Sequence, residues 1–122
     1  MAGREARRGR LTRSADFDRV YRKGSSHSSR MFVLHTFPRG DSEPCRLGLS
    51  VSRKVGGAVE RNLVKRLVRE AFDAEGPSLA EGVDVVVAAR SGSAELAERE
   101  GLVGVSRELD ELLKLAEVKA KS

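Results

Sequence analysis

The stretch from Ser52 to Phe72, SRKVGGAVERNLVKRLVREAF, decides the fold, because a glycine pair runs there into a segment with helical periodicity. At about 100° per residue, Arg61, Asn62, Lys65, Arg66 and Arg69 fall on one side, and Val59, Leu63, Val64, Leu67, Ala71 and Phe72 on the other. One face is suited to dock on a core and the other to meet an anion. Arg53 and Lys54 precede the Gly56-Gly57 turn, which lets backbone amides approach a phosphate at the helix N-terminus. An amphipathic helix needs only solvated polar residues opposite its apolar stripe, so a merely solvated charged face is the plain alternative.

The distribution of charge weighs against that alternative. Residues 1–69 carry 17 Lys and Arg against 6 Asp and Glu, whereas residues 70–122 carry 6 against 12. The net charge of +5 and the pI near 9.9 therefore hide a strong polarity. Basic groups massed on one half and centred on a helix are the footprint of a nucleic-acid binder. Arginine supplies 17 of the 23 basic residues, and its planar fork grips phosphate through two nitrogens and stacks on bases. A membrane surface fits poorly, since an interfacial helix wants Trp, Phe and Leu opposite its charges; this chain has no Trp and four scattered Phe.

Working outward, 122 residues make one domain with a modest core. Residues 1–10, MAGREARRGR, read as a basic, flexible tail, and 11–119 as the folded RNA-binding domain. Ser14 is placed to cap a short helix in which Phe17, Val20 and Tyr21 share a face, with Gly24 to end it. Ser25 to Ser29 reads as a loop and Met31 to Phe37 as a strand. Pro38 to Pro44 reads as a hairpin-like turn, and Arg46 to Ser52 as the partner strand, with Leu47, Leu49 and Val51 alternating. The basic helix runs from Ala58 to Asp73 and stops at Gly76-Pro77. Val83 to Ala89 is a near-continuous apolar run, a strand buried between layers. Leu102 to Val118 forms the last helix, with Val105, Leu109, Leu112, Leu113 and Ala116 as its stripe. The order is αβββαβα if the loop or hairpin adds a short strand, an α/β (α+β) two-layer sandwich.

The run RLGLSVSRKVGGAVERNLVKRLVREAF, Arg46 to Phe72, closely resembles the signature of the bacterial ribonuclease P protein subunit family. The similarity extends to RLTRSADFDRVYRKGSSHSSRMFVLH before it and VDVVVAARSG after it. Two positions depart from the pattern: Leu63 stands where the family has the second arginine of R-N-R, and Gly57 where it usually has asparagine. The resemblance implies a left-handed crossover between the strands flanking the basic helix. It implies that the protein binds the catalytic RNA of ribonuclease P through Arg53, Lys54, Arg61, Asn62, Lys65, Arg66 and Arg69. It also implies that Phe17, Tyr21, Phe32 and His35 hold the 5′ leader of precursor transfer RNA, with His35 where the family often has tyrosine. Aromatic faces suit a single strand because any base stacks on them. In that family the RNA, with Mg2+, cuts the leader from the precursor, and the protein assists. On charge alone, a general RNA-binding structural protein of the ribosomal kind is the alternative.

A catalytic constellation of the chain's own is not evident. Asp16 and Asp18 form a D-x-D, but acids in the first turn of a helix are favoured by its dipole without any metal. His27 and His35 lack the spacing of a zinc helix, and Ser25, Ser26, Ser28 and Ser29 lack a partnered base. Cys45 is a lone cysteine, and there is neither a signal peptide nor a membrane span, which points to the cytoplasm. No metal or cofactor held by the protein itself and no obligate protein partner are inferred.

Overall fold

The structure is a computed structural model describing residues 9–11 and 13–119. The elements are β1 (Gly9–Arg10), α1 (Ser14–Lys23), β2 (Ser25–Ser28), β3 (Phe32–Pro38), β4 (Arg46–Ser50), α2 (Ala58–Glu75), β5 (Val83–Ala89) and α3 (Ser93–Leu115), with a 3-10 turn over Gly76–Ser78. The αβββαβα order holds, with the serine-rich segment supplying the extra strand and β1 added in front. Residues 1–8 of the basic tail lie outside the described residues, while Gly9 and Arg10 pair in parallel with Arg46 and Leu47.

The five-stranded sheet runs β1-β4-β5-β3-β2. This corrects the expected hairpin: β3 and β4 do not pair, because β5 lies between them, antiparallel to β3 and parallel to β4. The physical reason is the composition of β5, which apart from Asp84 is apolar on both faces and is buried only in the centre of the sheet. Ser25–Ser28, expected as a loop, pairs with β3 as an edge strand, from Ser25 opposite Thr36 to Ser28 opposite Val33. Its serines lie mostly exposed, as an edge permits.

Side chains alternate between two cores. Phe32, Leu34, Leu47, Val85 and Val87 point to the face covered by Val64, Leu67, Val68, Ala71 and Phe72 of α2 and Leu109, Leu112 and Leu113 of α3. On the opposite face, Leu11, Val20 and Val86 form a smaller cluster with Phe17 and Phe37. A sandwich of sheet and two helices thus carries α1 against its second face.

Several local expectations change. Ser14 is the first helical residue and Arg13 occupies the cap position without a side-chain cap bond. Val59, expected on the apolar side, is 79% exposed, because at 100° per residue it lies about 20° from Arg66 and about 140° from buried Val64, on the polar side of α2. The last helix begins nine residues early, at Ser93, and bends at Gly101, whose φ of 60° breaks the helical pattern there. Ala94, Leu96 and Ala97 of that first segment are buried.

Candidate RNA-binding surfaces

The loop into α2 is shaped by its glycines. Gly56 has φ +154° and a Cβ there would lie 2.9 Å from Cβ of Glu60, so both backbone and space require glycine. Gly57, at φ −76°, is the N-cap and offers no side-chain cap. The Val55 amide donates to the Ser52 carbonyl at 3.1 Å and the Gly56 amide to that of Arg53 at 3.2 Å, a turn that leaves Arg53 and Lys54 exposed. Along α2, Asn62 and Arg66 are exposed, while Arg61, Lys65 and Arg69 are half-buried at the flanks of the docked stripe. Nε of Arg61 donates to the Gly57 carbonyl at 3.4 Å.

Among the described residues, Arg53, Lys54, Arg61, Lys65, Arg66 and Arg69 make no ion pair. The acidic half behaves differently: Arg99 and Arg107 pair with Glu100, Lys114 with Asp110, and Lys119 with both Asp110 and Glu75. A solvated structural face would be expected to compensate its charges on the spot, as four of the five described cations of that half do. The four on α2 and the two in the loop before it leave six cations free for an external polyanion.

The second surface is the part of the sheet that α1 leaves open. Tyr21 is 43% exposed and meets the His35 ring edge-on, with centroids 4.8 Å apart and planes at 84°. The Phe17 ring lies 6.4 Å from that of Tyr21. Burial lowers the pKa of His35, which keeps the ring neutral at pH 7. By register, Ser26 opposite His35, and Ser28 and Ala88 opposite Val33, extend this face beside the rings. Phe32 is not part of it. At 0% exposure it sits in the core between the sheet and α2–α3, so the sequence-based assignment of Phe32 to this surface is corrected. Residues three apart in a strand point to opposite faces, so Phe32 and His35 cannot serve one cleft.

The carboxylates of the D-x-D do not act together. Asp16 pairs with Arg19 at 3.3 Å, and Asp18 is exposed. Among the described residues, no group of three or more His, Cys, Asp or Glu side chains is arranged to hold a metal ion. His27 pairs with Leu34 in the register and therefore faces away from His35. No helix among the described residues is long and apolar enough to cross a membrane.

The pattern of the Ribonuclease P family matches residues 6–117. The chain is 41% identical over 111 residues to the ribonuclease P protein component of Shouchella clausii, covering 91% of this chain and 88% of that one. It is 42% identical over 90 residues to that of Bacillus pumilus, covering 74% and 76%. The fold superposes on the RNase P protein of Staphylococcus aureus with a TM-score of 0.81 at 35% identity, covering 90% of this chain and 96% of that one. For the Thermotoga maritima protein the values are 0.79 and 36%, covering 88% and 97%. The chain belongs to the ribonuclease P protein family.

Within the ribonuclease P protein pattern, both departures have a structural account. Leu63 is half-buried and packs against the core, so it extends the docking face of α2. Gly57 gives up a cap that asparagine would supply, a loss of only a few tenths of a kcal/mol. Asp84, which went unremarked in the sequence, is the buried polar centre of this fold. Both its oxygens accept from Arg46, at 2.8 and 2.9 Å, and one also accepts from Arg39 at 2.5 Å. The signal was available: it is the one acid inside VDVVVAA, and a charge in a buried strand requires partners.

Proposed function

We propose that this ribonuclease P protein binds the catalytic RNA of the ribonucleoprotein through Arg53, Lys54 and the basic face of α2. It holds the 5′ leader of precursor transfer RNA on the open sheet face beside α1, through Phe17, Tyr21 and His35. The RNA, with Mg2+, hydrolyses the phosphodiester that joins leader to transfer RNA; the protein supplies position and charge. The observation that carries this reading is the unpaired basic strip of α2 in a chain whose other half pairs four of its five described cations, all but Arg90.

Each part of the work follows from the chain's own groups. Guanidinium and ammonium groups on α2 displace counterions from the RNA backbone, and Asn62 offers a hydrogen bond to a ribose or base edge. The exposed Tyr21 ring and the Phe17 ring offer stacking platforms to a strand of any sequence. Anchoring the leader fixes the scissile bond against the RNA, turning an encounter into a positioned reaction. That reading assigns the protein to the cytoplasm, with the RNA it serves.

Tyr21→Ala should weaken holoenzyme binding of precursor transfer RNA by roughly 1–3 kcal/mol, the worth of one stacked base, and leave mature transfer RNA nearly untouched. Equilibrium binding of both RNAs checks this, and equal losses would remove the leader from this surface. A separate check concerns chemistry. Asp16→Asn with Asp18→Asn should cost about 1 kcal/mol of stability or less and leave the cleavage rate within severalfold. A fall of several orders of magnitude, with folding and RNA binding intact, would make these carboxylates ligands of a catalytic metal.

A further inference from the structure

Gly48 lies inside β4, flanked by the core residues Leu47 and Leu49, in a position where a β-branched residue would strengthen the strand. Its backbone does not ask for glycine, since its φ is not positive. What asks for glycine is a ring. A Cβ on residue 48 would lie 2.8 Å from Cζ and 3.0 Å from Cε1 of Phe17, and 3.1 Å from Cβ of Leu11. Gly24 makes a useful contrast: a Cβ there would run into the backbone carbonyl of Thr36, which cannot yield. At Gly48 the obstacle is the far end of a side chain that can swing away from the sheet.

We propose that Gly48 is a positioning residue for the leader: its missing side chain is the seat in which the Phe17 ring lies down on the sheet. The seat fixes how far that ring rises beside Tyr21 and His35, and hence where a base can enter. This inference rests on the reading of the α1 face as the leader surface. Adding one methyl group at residue 48 lifts the ring into the space that reading gives to the substrate, while α2 and its cations stay as they are.

The test uses holoenzyme reconstituted with the catalytic RNA, and measures equilibrium binding of precursor transfer RNA with a single-stranded leader and of mature transfer RNA. Gly48→Ala should weaken precursor binding roughly tenfold, within the range one stacked base supplies. Affinities for mature transfer RNA and for the catalytic RNA should each stay within about twofold, since no contact to either is altered. In a Phe17→Ala background, Gly48→Ala should add no more than about twofold, because no ring remains to be displaced. Should Gly48→Ala alone fold too poorly to assemble, the double variant is compared with Phe17→Ala, and a further loss of precursor affinity overturns the seat. Precursor affinity lost in Phe17→Ala but kept in Gly48→Ala also overturns it. Precursor affinity unchanged in Phe17→Ala overturns the leader reading itself, and the seat with it.

Discussion

Asp84→Ala is expected to destabilise the protein by about 3 kcal/mol, the low end of what breaking a buried ion pair costs. Asp84 is 0% exposed and joins the start of β5 to Arg46 of β4 and to Arg39, which follows β3. Removing it strands Arg39, whose side chain is only 9% exposed, although Asp41 and the carbonyls of Glu43 and Pro44 still hold that guanidinium. Arg46 reaches water more easily, which is why the low end applies. Denaturant unfolding checks the value; a change under 1 kcal/mol would mean that the pair merely balances its own desolvation. Burial raises the carboxyl's pKa, but the hydrogen bonds from Arg46 and Arg39 outweigh it and hold the group below its ordinary range. With the folded value depressed, the unfolded chain binds more protons in that window, so stability rises with pH through it. The contribution is fully present above the unfolded carboxyl value of about 3.9 and is lost as pH falls through the folded one. The acid side of the stability profile should therefore flatten in Asp84→Asn.

Replacing Arg61, Lys65, Arg66 and Arg69 together by Gln should flatten the plot of log affinity for the catalytic RNA against log salt by about three units, at 0.7–0.9 per phosphate contact. Glutamine keeps the helix propensity and much of the stem that packs along the flanks of α2. Folding should change little, because none of the four takes part in an ion pair among the described residues. Binding measured from low to physiological salt, with circular dichroism as the control for folding, checks both. An unchanged slope would move the RNA-binding surface off α2.

The legible parts of this chain were those where local pattern and tertiary demand agree. The glycine turn, the amphipathic period of α2 and the apolar run of β5 each specify one structure. Where they diverge, the sequence misleads. Ser25–Ser28 has no apolar alternation, yet it is a strand because β3 offers it an open edge. Arg46–Ser50 follows a turn-like loop, yet it pairs with a strand more than 30 residues downstream, because only the centre of the sheet buries Val83–Ala89 on both sides. The bend at Gly101 interrupts the helical period and hid Ser93–Glu100. At the candidate site, the Tyr21 and His35 rings meet on one face of the sheet. Phe32 does not, and strand parity alone would have excluded it.

The central claim is that this chain positions RNA while RNA does the cutting. The most direct measurement is precursor processing at low magnesium with the protein alone, the catalytic RNA alone, and both together. The account predicts no cleavage by the protein, little by the RNA, and efficient removal of the leader by the two combined, with high magnesium partly replacing the protein because its charge neutralisation can be supplied by ions. Cleavage at the same site by the protein alone, or no change in processing when the protein is added, would contradict it.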